Sequence, residues 1–192
     1  MKEMIMTTEE KLKEIKQSFR LIMNGITAQS MRQKGVCYHL NWGASLADLE
    51  TMSREYGKDY DLACALWKEN IRECKLLATM IMPVEQFTSE LAMQWLRQSD
   101  TLEIIEAITF RLTPYLSDAV SFATELINND SSLLKIAGCH TLSRFFILFR
   151  ETTDNVSVNH SLLLRLQAIV DSETMSLTLR KAAMNLLDKL HR

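Results

Sequence analysis

Two carboxylates in the sequence have the spacing of a catalytic pair. Glu103 and Glu106 are three residues apart, which on a helix places them at neighbouring surface positions. In such a pair the charge of one carboxylate raises the pKa of the other, and this suits general acid–base work. The spacing alone favours a simpler interpretation, a solvated helix face, because charged residues at helical spacing are common on helix surfaces.

A set of basic residues has the spacing expected for contacts to a phosphate backbone. Each member lies in or beside the second helix of one of the helical repeats inferred below. The set consists of Arg72, Lys75, Lys135, Arg144, Arg180 and Lys181. Such a ladder could follow a nucleic-acid strand, although Glu103 interrupts it. Because the net charge is −2, ordinary intramolecular salt bridging is the other interpretation.

The three tryptophans divide into two kinds. Trp67 and Trp95 keep helical spacing with apolar neighbours, which predicts that they pack in the core. Trp42 lies in an irregular segment, residues 35–43, framed by two glycines. Of the three it is the candidate for stacking on a nucleotide.

Several common kinds of site are absent from the sequence. None of the cysteines, Cys37, Cys64, Cys74 and Cys139, forms a C-x-x-C pair, so no zinc ribbon or thioredoxin-like motif is present. They are interpreted as small buried thiols in a reducing compartment. The four histidines match no local nucleophile signature, and no two glycines are close enough for a phosphate loop. We therefore expect no metal and no cofactor.

The composition is that of a globular helical protein. The chain has 192 residues, of which 47% are hydrophobic and 24% charged. With only 5 Gly and 2 Pro it lacks the turn residues of an all-β sandwich or barrel. No apolar run is long enough for a signal peptide or a membrane span, so we expect no membrane contact and a cytoplasmic location.

Start and stop signals divide the N-terminal half into helices. Thr7 and Glu10 have capping-box spacing, and apolar residues then recur at helical spacing to Asn24, with Gly25 as the stop. A short polar helix is predicted over 26–34.

Capping residues also bound the next two helices. Ser45 is predicted to cap a helix over 46–56 that Gly57 ends, and Asp59 opens another over 60–68. Residues 151–159 are predicted to be a loop.

The rest of the chain contains a repeat. Polar turns at 68–70, 97–100, 128–131 and 171–173 recur at intervals of about 30–40 residues, close to the period of helical solenoids. Small residues at matching positions would let neighbouring helices approach closely. The prediction is one all-α domain, residues 1–192, with N-terminal helices at 1–34 and repeats over 45–192. Its fold class is an α-α superhelix of HEAT-like antiparallel helix pairs.

The stretch from Gly43 to Pro83 resembles the bacterial DNA alkylation repair family, the alkylpurine DNA glycosylases built of HEAT-like repeats. The similarity covers residues 40–190 and is closest in the first half. The matching elements are Gly57-Lys58-Asp59, Leu62-Ala63, Leu66-Trp67, Glu73 and Leu77-Ala78, and Trp95 extends the match.

The resemblance implies removal of positively charged alkylated purines from DNA. In the family an acidic residue steadies the developing oxocarbenium charge, tryptophans pack on the sugar-phosphate and arginines hold the phosphates. Here Glu106 stands at the catalytic Asp position and Leu102 at a Trp position. The phosphate-binding Arg falls at or beside Ile136, next to Lys135. The last Trp and Arg fall near Asn185 and Asp188, and no Trp follows Trp95.

These departures leave three interpretations of the function. The first is a nucleic-acid-binding HEAT-like scaffold whose base excision is weakened or lost. The second is an active glycosylase that releases N3- or N7-alkylated purines through Glu106. The third is a protein-interaction scaffold, a common use of helical solenoids. The expected partner is duplex DNA with alkylated or distorted bases, or a protein on the concave face.

Overall fold

The fold is built from helices and short turns. The computed structural model describes residues 6–149 and 160–190, and there it contains eleven α-helices, two 3₁₀ turns and one isolated bridge between Leu40 and Ile71. This confirms the predicted all-α class. None of the helices so described combines the length and apolar character needed to cross a bilayer. The predicted loop at 151–159 lies outside the described residues.

The chain divides into two compact units, Met1–Gln86 and Phe87–Arg192. The sequence signals no boundary there, and the interpretation as one domain stays a prediction.

The first unit contains five helices. They are α1 (Thr8–Ser18), α2 (Gly25–Gln33), α3 (Leu46–Tyr56), α4 (Tyr60–Lys68) and α5 (Arg72–Ile81), followed by a 3₁₀ turn at Val84–Gln86. Helix α4 packs against α5 and α1, and α3 packs against α5. The predicted bounds of α3 and α4 are confirmed. Ser45 forms a capping box with Asp48, and the Asp59 side chain accepts a hydrogen bond from the Leu62 N–H.

The predicted end of the first helix was wrong. The capping box of Thr7 and Glu10 is present, but α1 ends at Ser18, and tighter turns take the chain to Ile22. Gly25 is the first residue of α2 rather than a stop. The reason is Asn24, whose side chain accepts a hydrogen bond from the Thr27 N–H at 3.0 Å and so starts a new helix.

A buried carboxylate holds the irregular segment before α3. Glu73 on α5 is fully buried and accepts hydrogen bonds from the backbone N–H groups of Trp42 (3.2 Å), Gly43 (3.0 Å) and Ala44 (3.3 Å). Arg72 pairs with it at 3.1 Å and also donates to the Ala44 carbonyl at 3.0 Å. Gly43 has a φ of +74°, and a Cβ there would lie 2.1 Å from the Asn24 carbonyl oxygen, so no larger residue fits.

The second unit contains the remaining helices. They are α6 (Ser89–Arg97), α7 (Leu102–Arg111), α8 (Ala119–Asn128), α9 (Ser132–Leu148), α10 (His160–Asp171) and α11 (Leu177–Leu190), with a 3₁₀ turn at Thr113–Tyr115. The four predicted polar turns all fall between helices, at α4–α5, α6–α7, α8–α9 and α10–α11. Each of these turns joins two successive helices, as the HEAT-like pattern predicts.

Helix α9 is the centre of the second unit. It packs against α7, α8 and α11, and an apolar cluster that includes Leu142, Leu166 and Leu186 fills the space between α8, α9, α10 and α11. Close approach depends on Gly138, where a Cβ would lie 2.6 Å from the Ala123 carbonyl oxygen of α8. The small residues of the repeat therefore do allow neighbouring helices to come close.

Candidate nucleic-acid interface

Helices α7, α9 and α11 bring aromatic and ionisable side chains together in the second unit. We call the following set the α9 face: Glu106 and Phe110 on α7, His140 and Arg144 on α9, and Lys189 on α11. Within α7 and within α9 the two members are four residues apart, so each pair lies on one side of its helix. Because α9 packs against both α7 and α11, Phe110 lies beside His140 and Arg144, and Lys189 lies near His140. Glu106 is one turn from Phe110 on α7.

Phe110 on α7 contacts two side chains of α9. Its ring is 47% exposed, and its centroid lies 5.9 Å from that of His140. The guanidinium carbon of Arg144 lies 5.9 Å from the same centroid, within the range of a cation–π contact. The ring thus contacts both α9 side chains and carries no charge that would pair with Arg144.

Two nitrogens of the α9 face have no hydrogen-bond partner in the part of the chain that the structure describes. They are Nδ1 of His140 and Nε of Arg144, and both are buried. Arg144 also forms no ion pair with any residue in 6–149 or 160–190. Burial lowers the pKa of His140, and the nearby charge of Lys189 lowers it further. The α9 face therefore presents the positive charges of Arg144 and Lys189 beside a histidine that favours its neutral form.

Glu106 is the acidic member of the face. Partial burial raises the pKa of its carboxyl, and the charge of Glu103 raises that pKa further. Both causes act in the same direction, and burial is the larger of the two. A raised pKa of this kind is also found at carboxyls that donate protons. The catalytic role of Glu103 and Glu106 stays a prediction.

The other positions that the family resemblance singles out have different surroundings. Leu102 is partly buried and packs against the apolar cluster of the second unit, and Ile136 is 3% exposed. Asn185 and Asp188 on α11 are exposed. At the position where the resemblance implies a tryptophan, Leu102 thus makes an aliphatic core contact.

The basic residues predicted in the first unit are engaged with their own unit. The Arg72 guanidinium is buried against Glu73 and the Ala44 carbonyl. Lys75 places its Nζ 4.4 Å from the centre of the Trp67 ring and donates to the Trp67 carbonyl. These contacts favour structural roles, and phosphate binding by either residue stays a prediction.

The basic residues predicted in the second unit differ in exposure. Arg180 donates from Nε to the Val170 carbonyl at 2.9 Å, and so satisfies a carbonyl in the last turn of α10. Lys135 is 6% exposed in the first turn of α9, whereas Lys181 is exposed on α11. Arg144 belongs to the α9 face. Of the six basic residues predicted to contact phosphates, Arg144 is the one that belongs to the α9 face.

Two of the three tryptophans follow the sequence prediction. Trp67 and Trp95 are 4% and 2% exposed, which confirms that they pack in the core. Trp42 is partly exposed in the first unit, and its indole nitrogen is buried without a hydrogen-bond partner among the residues described. A ligand-binding role for Trp42 stays a prediction.

Two of the four cysteines are buried. All four are free, Cys74 and Cys139 are buried as predicted, and burial raises the pKa of each of these two thiols to about 12. Cys64 is partly buried, and Cys37 is exposed, contrary to the prediction, because it lies in the irregular segment before α3. Among the described residues no group of three or more His, Cys, Asp or Glu side chains is placed to hold a metal ion.

Sequence reasoning missed three members of the α9 face: Phe110, His140 and Lys189. One signal was available, since His140 and Arg144 are four residues apart on one predicted helix. Their proximity to Phe110 depends on how α7 packs on α9, which helical spacing does not specify.

Comparisons with known proteins concern the family and the fold of the chain. The family model described as DNA alkylation repair enzyme matches residues 15–160. One solved structure is similar over 93% of this chain and 75% of its own, with a TM-score of 0.74 and 12% sequence identity. It is described as belonging to a new family of proteins related to the HEAT-like repeat DNA glycosylases with affinity for branched DNA structures. No curated protein sequence matches the chain.

At 12% identity the structural match shows the fold, and it confirms the HEAT-like helix pairs predicted from the repeat. The family model covers well over half of the chain. The chain therefore belongs to the DNA alkylation repair enzyme family.

Proposed function

We propose that this protein binds DNA through the α9 face and that its base-excision activity is lost or much weaker than that of a typical glycosylase of the family. The ligand class is duplex DNA that is distorted, branched or alkylated. Membership of the family supports DNA as the ligand. The affinity for branched DNA described for the structural neighbour supports the inclusion of branched forms.

The observation that carries the proposal is the position of Arg144. Its guanidinium is held at the Phe110 ring, and no carboxylate in 6–149 or 160–190 pairs with it. An arginine that lies beside an aromatic ring and pairs with no carboxylate among the described residues is suited to a phosphate oxygen, because phosphate contacts dominate affinity for DNA.

The proposed weakness of base excision depends on α7. An excision site needs an ionised carboxylate beside the developing oxocarbenium charge, and the Glu106 that stands at the family's catalytic Asp position is one methylene longer. The tryptophan that would pack on the sugar is replaced by Leu102, which contacts the core. Both differences lower the stabilisation of a cationic transition state.

The first test is a titration of fluorescent DNA. Three probes are compared at low and at physiological salt: a plain duplex, a duplex with an abasic-site analogue, and a four-way junction. We expect the distorted and branched probes to bind more tightly than the plain duplex, with affinity that falls steeply as salt rises. Arg144→Ala should weaken binding and reduce the salt slope by about one phosphate contact.

The matched control is Arg165→Ala, the same substitution at an exposed arginine of α10. It should leave both affinity and salt slope nearly unchanged. Equal effects of the two substitutions would overturn the assignment of the α9 face. If no probe binds even at low salt, the DNA-binding proposal is wrong and a protein-interaction scaffold becomes the better explanation.

An active glycosylase is the second candidate, and the raised pKa of Glu106 is the observation that favours it. A carboxyl of this kind suits an excision role if DNA binding brings a cationic base beside it. The test is release of methylated bases from alkylated DNA by the wild-type protein and by Glu106→Gln. Release by the wild type that the substitution abolishes would support this candidate over the proposal above.

A further inference from the structure

A groove in the first unit has the shape and charge of a small ligand site. It lies between α1 and the segment that ends at Trp42, is open to solvent, and has a volume of about 380 Å³. This volume is within the range of small-molecule sites. Its floor is apolar and is formed by Leu12, Leu40, Trp42 and Ile71. We call it the Trp42 groove.

Two hydrogen bonds hold the backbone of Trp42, the aromatic residue of the groove. The Trp42 backbone N–H donates to Glu73 at 3.2 Å, and its carbonyl accepts from the Asn24 N–H at 2.8 Å. The indole nitrogen is buried, so Trp42 offers the groove apolar ring surface rather than a hydrogen-bond donor. A contact surface fixed in advance loses little conformational freedom when a ligand binds.

The rim of the groove is basic. Lys13 and Arg20 line it from one side of α1 and its C-terminal extension, and neither forms a hydrogen bond or ion pair through its side chain with any residue in 6–149 or 160–190. Lys16 lies between them and pairs with Glu69 at 2.8 Å. Glu9 supplies the opposing charge at one end. The rim therefore has two cations that form no ion pair among the residues described, beside an apolar, aromatic floor.

We propose that the Trp42 groove binds one unpaired nucleotide of a nucleic-acid strand, with its base against Trp42 and its flanking phosphates at Lys13 and Arg20. A nucleotide combines an aromatic face with a neighbouring anion, and the groove has the complement of both. A base within a regular duplex is already stacked on both faces and cannot enter. The choice of a strand as ligand rests on the DNA-binding function proposed above.

Tryptophan fluorescence of the full-length protein can test this directly. Trp67 and Trp95 are buried, so Trp42 is the tryptophan that a ligand can reach. A short oligothymidylate should quench the emission in a saturable manner. Thymidine monophosphate should quench much less because it lacks the second flanking phosphate, and inorganic phosphate and a blunt duplex should not quench.

Variants assign the quenching to the groove. Trp42→Phe should abolish the quenching, and Arg20→Glu should weaken oligothymidylate binding by about tenfold, the scale of losing one charged contact. Arg32→Glu, an equal charge change at an exposed residue of α2, should have little effect. Circular dichroism would confirm that each variant is folded, and Arg20 is exposed, so its replacement should not disturb the fold.

Three results would overturn the proposal: no quenching by oligothymidylate, quenching by the mononucleotide alone, or equal weakening by Arg20→Glu and Arg32→Glu. The same experiments also distinguish a failure of this proposal from a failure of the DNA-binding function proposed for the α9 face. If the strand does not quench Trp42 while duplex binding still depends on Arg144, only the Trp42 groove proposal fails. If Trp42 is quenched but no duplex or junction binds, the proposal for the α9 face fails.

Discussion

The buried carboxylate of Glu73 links α5 to the segment that precedes α3, and its loss should be costly. Glu73→Gln leaves one acceptor oxygen for several donors, points an amide N–H₂ at backbone N–H groups, and leaves the buried Arg72 without its counter-ion. Breaking a buried ion pair in this way costs about 3–5 kcal/mol. Urea denaturation should show a loss of that size in the free energy of unfolding.

Glu69→Gln is the matched control for this prediction. Glu69 pairs with Lys16 at 2.8 Å, but both side chains are partly exposed. A pair of this kind contributes at most about 1 kcal/mol. If the two Glu→Gln variants are equally stable, Glu73 does not hold the segment.

His140 should make the stability of the protein depend on pH. Burial lowers its pKa in the folded protein, so the folded state disfavours the protonated form. The unfolded chain takes up a proton near pH 6.5, the ordinary value for histidine, and the folded protein does so only at lower pH. The contribution of His140 is therefore fully present above about pH 6.5 and is lost as pH falls through the pKa of the folded state.

Denaturation at a series of pH values checks this. Wild-type protein should lose more stability between neutral pH and about pH 5 than His140→Gln, which lacks the titrating group. His160→Gln, at an exposed position of α10, should behave like the wild type. Parallel pH profiles of wild type and His140→Gln would contradict the prediction.

The sequence predicted single residues well where local pattern decides their position. The burial of Trp67 and Trp95 followed from their spacing with apolar neighbours. The role of Glu73 did not, because its backbone donors at 42–44 are distant in sequence and meet it only after α5 packs against α3. The same reason applies to Phe110 and His140, which belong to different helices.

At the scale of elements, the helix bounds that the sequence predicted correctly are those set by capping residues. The bounds of α3 and α4 follow from Ser45, Gly57 and Asp59, each of which acts on its own helix end. The end of α1 was missed because apolar spacing continues past Ser18, while Asn24 starts α2 through a side-chain bond that the periodic pattern does not reveal. Local start signals were therefore more reliable than the length of an apolar pattern.

The contact between α8 and α9 gives a prediction at this scale. A Cβ at Gly138 would lie 2.6 Å from the Ala123 carbonyl oxygen and 2.9 Å from the Ile127 backbone nitrogen, so the two helices would have to separate. Gly138→Ala should destabilise the protein by about 1–3 kcal/mol, although alanine is the better helix former. The measurement is the midpoint of chemical denaturation.

Gly25→Ala tests whether this effect comes from packing. Gly25 also lies in a helix, but a Cβ there has no neighbour within 4 Å. The change should be neutral or slightly stabilising. If Gly138→Ala proves equally harmless, α8 and α9 do not require their close approach.

At the scale of the whole molecule, the repeat predicted the class of fold and the resemblance predicted the family. Recurrent polar turns predict helix pairs because each turn ends one helix and starts its partner. They do not predict the division between Gln86 and Phe87, since no proline- or glycine-rich linker stands there. Of the α9 face, the sequence predicted only Arg144 and Glu106 as site residues. The other members come near Arg144 only through the packing of α7, α9 and α11, which the sequence pattern does not specify.

Net charge also belongs to the whole molecule, and it leads to the last prediction. A chain with a net charge of −2 repels DNA at long range, so binding must depend on local fields rather than on overall charge. Arg144→Glu and Arg165→Glu change the net charge equally. We expect Arg144→Glu to weaken junction binding at low salt by about tenfold or more, because it places a carboxylate where a phosphate should bind.

Arg165→Glu should alter that binding only slightly, since the exposed side chain of Arg165 is on α10, outside the α9 face. Fluorescence anisotropy with one labelled junction measures both variants under identical conditions. If both weaken binding to the same extent, the total charge governs the interaction and the α9 face has no special part in it. A loss confined to Arg144→Glu would mean that a protein with net negative charge binds DNA through a local positive field that the packing of α7, α9 and α11 creates.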